Sequence, residues 1–166
     1  ASLRPKDPTL KDPTLKDPTQ KDPTLSSANP DPDRLREILR DTRTVAVVGA
    51  SANPARPSNE VFGYLTRHSN YTLYPVNPNA LDIDGIPAHP TLADLPVTPD
   101  MVDVFRRQEE LPAVLAEILA LETLPKYLWL QQGLWHEQVA RDARAAGLTV
   151  VMDRCLKVDY ARLLGG

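Results

Sequence analysis

A chain of 166 residues, 42% hydrophobic and 25% charged, suits one core and is too short for two ordinary domains. Its single cysteine, Cys155, excludes an intramolecular disulfide framework and any Cys-rich structural zinc site. A formal net charge of -3 offers duplex nucleic acid no long-range field, and no apolar run approaches the ~18 residues of a membrane span. No apolar signal core stands at the N-terminus, so the expectation is a cytoplasmic protein without nucleic-acid or membrane partners.

Residues 1–30 read as a tail separate from the domain at 31–166. Four tandem pentapeptides run from Lys6 to Leu25, each KDPT followed by Leu or Gln, and seven of the 17 prolines lie in the first 33 residues. A period of five fits neither helix nor strand, and each proline removes a backbone donor and disfavours helix at the preceding Asp. Disorder is expected there, as a solvated extension or as a docking segment for an unidentified protein partner.

Order is expected from Asp31, a side-chain cap followed by Pro32 at the first helical position, with Leu35, Ile38 and Leu39 on one face up to Asp41. Five short apolar runs then suit buried strands: Thr44 to Ala50, Tyr71 to Asn77, Met101 to Arg106, Tyr127 to Gln131 and Leu148 to Asp153. They begin roughly 20 to 30 residues apart, which leaves room for crossovers where hairpins would need only a few residues. Helices are expected over Ser58 to His68, Leu111 to Leu121 and Trp135 to Ala146, the last ended by Gly147. The proline-rich stretch Asp82 to Pro99 reads as an irregular crossover with one short helical turn, Thr91 to Leu95. This alternation specifies an α/β fold: a doubly wound, mostly parallel five-stranded sheet between two helical layers.

Every strand turns polar or small at its carboxyl end: Gly49-Ala50-Ser51, Asn77-Pro78-Asn79, Arg106-Arg107, Gln131-Gln132-Gly133 and Asp153-Arg154-Cys155. Loops are polar in any case, but in open α/β sheets ligands bind outside these ends, so the convergence marks the binding edge. The first loop, VVGASANPARPSNEV, joins a buried strand to a helix start. Gly49 permits a tight turn and close backbone approach, the helix start near Ser58 and Asn59 suits phosphate oxygens, and Arg56 adds a forked cation. Ser51 and Pro54 stand where a GxGxxG motif requires glycine, and no GKS or GKT follows, so neither a standard NAD loop nor a P-loop is present.

Taken with YPVNPN, DIDGIPAHPTLADLP, VDVFR, WLQQG and AGLTVVMDRC, that loop resembles the small single-domain CoA-binding proteins, similar to the nucleotide-binding domain of the succinyl-CoA synthetase alpha subunit and of ADP-forming acyl-CoA synthetases. The matching strings run in order from Thr44 to Cys155. The resemblance implies a Rossmann-like domain that binds coenzyme A or an acyl-CoA noncovalently, as a carrier, sensor or partner-recruited module. It implies that Gly49, Ala50, Ser51, Arg56, Pro57, Ser58 and Asn59 hold the CoA diphosphate and that Asn77 and Pro78 meet the ribose or adenine side. By position, Gln131 and Gly133 are expected along the pantetheine arm, with Arg106 at the third strand end. Asn77 also argues against NAD: the acid that normally pairs with NAD ribose hydroxyls would repel the 3'-phosphate of CoA.

Two other classes compete: a CoA-dependent ligase or transferase component, for whose ATP-grasp and phosphohistidine domains the chain has no space, and an NAD(P)-binding redox module. No catalytic residue is expected, since His68, His89 and His136 are scattered and lack partners at catalytic or metal-binding spacing. Glu109-Glu110 precedes the Leu111 helix, where acids complement the dipole. Cys155 stands on the ligand edge beside Arg154 and Lys157, cations of the kind that favour a thiolate. It is either a buried strand-end cysteine or a partner for the CoA thiol in a mixed disulfide.

Overall fold

A computed structural model describes residues 29–165 of the chain. The KDPT repeats, expected to be disordered, lie outside the described residues. Among the described residues Asn29, ahead of the first helix, already holds the chain just beyond the last strand. Its side chain donates to the Met152 carbonyl and accepts from the Met152 N–H, both at 2.8 Å.

In chain order the elements are α1 (Pro32–Asp41), β1 (Thr44–Val48), α2 (Pro57–His68), β2 (Thr72–Val76), β3 (Asp82–Ile83), β4 (Ile86–Pro87), β5 (Met101–Val104), α3 (Leu111–Leu119), β6 (Tyr127–Leu130), α4 (Glu137–Ala145), β7 (Thr149–Val151) and α5 (Leu156–Leu164). Asp31 caps α1 as expected, accepting from the Arg34 N–H at 2.8 Å. The strands are shorter than the apolar runs, because the polar residues at their carboxyl ends leave the ladder to form loops. Helix α4 begins after Trp135, with His136 as N-cap accepting from the Val139 N–H. Gly147 follows it at φ +102°, where its N–H reaches the Arg144 carbonyl.

Five parallel strands form one sheet in the order β2-β1-β5-β6-β7. Two-residue periodicity sends Val45 and Val47 to one face and Ala46 and Val48 to the other. The first face packs against Leu35, Ile38 and Leu39 of α1, Phe62 and Leu65 of α2, and Leu156 of α5. The second packs against α3 and α4 through Leu115, Ile118, Val139 and Ala143. Each fully buried Leu, Ile or Phe contributes about 1.5–3 kcal/mol, and both sheet faces are covered, as an all-parallel sheet requires. The architecture is therefore the expected Rossmann-like α/β fold.

Two elements go beyond the sequence expectations. The 82–99 crossover has its expected short helical turn as a 3-10 turn at Leu92–Asp94, and beyond it holds the small antiparallel pair β3–β4, while His89 bridges to Val76 along the outer edge of β2. That edge tolerates Pro75, which has no N–H to give a neighbouring strand. Helix α5 lies beyond the expected elements; the face that carries Leu156, Tyr160 and Leu163 also carries Asp159, which is 2% exposed and gripped by Arg154 at 2.5 and 2.8 Å.

Candidate functional site

From β1 the chain moves outward to β2 and then crosses back to β5, so the direction of winding reverses between β1 and β5. Their following helices lie on opposite faces, α2 on one and α3 on the other, which opens a crevice at the carboxyl ends. Register brings the ends level: Val48 pairs with both Val76 and Val104, and Val104 with Leu130. The loops beginning at Gly49, Asn77, Phe105 and Gln131 thereby line one cleft of about 980 Å³, at the upper end of small-molecule sites.

The β1 loop is shaped by a close approach. Gly49 has φ +85°, and a Cβ there would stand 2.0 Å from the Phe105 carbonyl oxygen, so only glycine fits. Two asparagines then hold successive carbonyls: Asn77 Nδ2 donates to Ala50 O at 2.8 Å and Asn59 Nδ2 to Ser51 O at 2.9 Å. Engaging these oxygens removes acceptors that would repel a phosphate. Arg56 occupies the N-cap position of α2, no side chain caps that helix, and Pro57 opens it. The positive end of the α2 dipole therefore stands at the cleft wall beside Ser51, Arg56 and Ser58.

Cations outnumber acids on the walls. Arg106, Arg107 and Lys157 line the cleft with Arg56, against the carboxylates Glu60 and Glu110. The acids sit on the cations: Glu110 lies 3.4 Å from Arg106 and 3.1 Å from Arg107, and Glu60 lies 2.6 Å from Lys157. The Arg107 hydrogen bond holds the Glu110 carboxyl below its ordinary range, and Lys157 does the same for Glu60. Arg56 makes no ion pair or side-chain hydrogen bond among the described residues. It is the guanidinium most available to an incoming anion.

Of the expected ligand-contacting residues, Gly49, Ala50, Ser51, Arg56, Pro57, Ser58, Asn77, Pro78, Arg106 and Gln131 line this cleft. Asn59 and Gly133 stand behind it. Asn59 is committed to the loop carbonyl, and Gly133 forms a turn at φ +92° whose N–H donates to Asp153 at 2.7 Å. Asn77 lines the cleft, but its side chain is occupied as a brace, since Oδ1 also accepts from the Asn79 N–H. Phe105, Glu110 and Val158 are not singled out by the sequence as ligand contacts, although Phe105 lies in a quoted motif. Val158 and Lys157 reach the site on α5, and the spacing of Leu156, Tyr160 and Leu163 was the available signal.

The two cations beside Cys155 are paired with acids, Arg154 with Asp159 and Lys157 with Glu60. His136 caps α4 and His68 stacks near Tyr64, with 4.6 Å between ring centroids. Among the described residues no group of three His, Cys, Asp or Glu could hold a metal ion. No helix there is long and apolar enough to cross a membrane. What the arrangement offers is recognition of an elongated anion.

The model of a CoA-binding domain matches residues 43–161. YneT of Bacillus subtilis (strain 168) is 38% identical over 133 residues, covering 80% of this chain and 96% of that protein. A Thermus thermophilus structure shares 38% identity at a TM-score of 0.75, covering 81% of this chain and 99% of that one. A Pyrococcus horikoshii OT3 structure shares 31% identity at a TM-score of 0.77, covering 83% and 95%. A β1 glycine turn, level strand ends and a cationic cleft thus lie within the span that the family match covers, and the chain belongs to the CoA-binding domain family.

Proposed function

We propose that this protein binds coenzyme A or an acyl-CoA noncovalently in the cleft, as a stand-alone carrier, sensor or partner-recruited module of the cytoplasm. The observation that carries this reading is the cleft itself, which joins the Gly49 turn, the α2 N-terminus, an Arg56 without a partner among the described residues and an uncharged Asn77. The turn lets a diphosphate approach the backbone, and the helix dipole and Arg56 offset its charge. Asn77 leaves the ribose side free of the carboxylate that would repel a 3'-phosphate. Arg106 and Gln131 continue the cleft toward the pantetheine arm.

Calorimetric titration with CoA tests this, with acetyl-CoA, 3'-dephospho-CoA and NADH as comparisons and with Arg56→Ala as the variant. The expected result is saturable CoA binding, weakened by loss of the 3'-phosphate and by about tenfold in the variant. Absence of CoA binding, or tighter binding of NADH, sinks the reading.

A further inference from the structure

Lys157 enters the cleft wall from the first turn of α5, and Glu60 enters it from the first turn of α2. Lys157 Nζ stands 2.6 Å from Glu60 Oε1, so one ion pair ties the two helices together within the site. Its partners are held unequally. The Lys157 side chain is 30% exposed and its ammonium lies 5.6 Å from the centre of the Tyr64 ring, whereas the Glu60 side chain is 67% exposed. Exposed pairs of this kind are weak, so Glu60 can turn into solvent while Lys157 stays in place.

Glu60 lies one helical turn past Arg56, about 6 Å along α2, which brings the ammonium close to the helix start that faces phosphate. The charges on that flank do not balance without it. A diphosphate diester is doubly charged, while the Arg56 guanidinium supplies a single positive charge and the α2 dipole roughly half of another. Resting on CoA binding in this cleft, we propose that Lys157 is a phosphate-binding residue and Glu60 its displaceable counterion: a phosphate of the bound nucleotide replaces the Glu60 carboxylate on the Lys157 ammonium. Glu60 is then a competitor built into the site, and the ligand takes over its task of joining α2 to α5. A similar arrangement stands at the end of β5, where Glu110 sits on Arg106 and Arg107.

The test is calorimetry of the full-length chain with CoA and 3'-dephospho-CoA, for the parent, Lys157→Met, Lys157→Arg and Glu60→Gln. Lys157→Met should weaken CoA binding about tenfold, Lys157→Arg should restore most of it, and Glu60→Gln should tighten it about two- to threefold. A loss in Lys157→Met that persists with 3'-dephospho-CoA assigns the diphosphate, and a loss confined to CoA assigns the 3'-phosphate; both support the exchange. Should a variant fail to fold, acetic anhydride footprinting of the native chain decides, with Lys126 as internal reference, since it is ion-paired to Asp41 at 3.2 Å ahead of β6, away from the cleft. Saturating CoA should slow acetylation of Lys157 several-fold and leave Lys126 unchanged. Full CoA affinity in Lys157→Met, weaker binding in Glu60→Gln, or equal Lys157 acetylation with and without CoA overturns the proposal while leaving noncovalent binding intact. Failure of the parent chain to bind CoA at all overturns the binding reading instead.

Discussion

Gly49 packs so closely beneath the Phe105 carbonyl that a methyl group at position 49 would lie 2.0 Å from that oxygen. The contact locks the β1 turn against the end of β5, across the point where the sheet reverses its winding. Gly49→Ala therefore meets a backbone clash and an unfavourable φ of +85° together. Urea unfolding should show a loss of ~2–4 kcal/mol, and CoA binding should disappear with the turn.

Asp103 lies in β5 between Val47 and Trp129, is fully buried, and has no hydrogen-bond partner for either oxygen among the described residues. Burial pushes its carboxyl well above the ordinary carboxylate range. With the folded value raised, the unfolded chain releases its proton first. The contribution of Asp103 is most favourable below its unfolded pKa of about 3.9 and is lost as pH rises through the folded value. In urea titrations from about pH 4 to about pH 8, Asp103→Asn should gain on the parent by up to about 1.4 kcal/mol per pH unit inside that window. Parallel stability profiles would show that Asp103 ionises freely.

Glu110 is placed to compete with an anionic ligand for Arg106 and Arg107. Glu110→Gln should tighten CoA binding about two- to fivefold, with a shallower gain at high salt, whereas Arg106→Ala should weaken it. Calorimetry at two ionic strengths distinguishes this from a purely supporting role for Glu110, in which its loss would weaken binding.

Asn77 supplies an amide donor to Ala50 and an acceptor to Asn79. Asn77→Asp keeps the acceptor, loses the donor and adds a charge beside the cleft. CoA affinity should fall about tenfold or more, and 3'-dephospho-CoA should suffer less. An equal loss for both ligands would assign the effect to the broken Ala50 contact alone.

The alternation of apolar runs with amphipathic segments was enough to specify five parallel strands between two helical layers, since period 2 and period 3.6 leave different imprints. The KDPT period, the missing glycines after Gly49 and the polar strand ends were likewise legible. Ten expected ligand residues meet in the cleft because matched strand register makes β1, β2, β5 and β6 end level, and local sequence shows only that each run stops.

Pairings across long sequence separations were decided by tertiary structure. Nothing near Asn59 announces that its amide belongs to Ser51, or that Glu60 and Asp159 engage the cations flanking Cys155. The isolated acid of VDVFR became the unpartnered Asp103 only when β5 took the centre of the sheet, with strands on both sides and helices over its face. Periodicity thus determines which face a residue takes, through the geometry of its own backbone. Its partner is set by strand order and register, which depend on how all the faces close together.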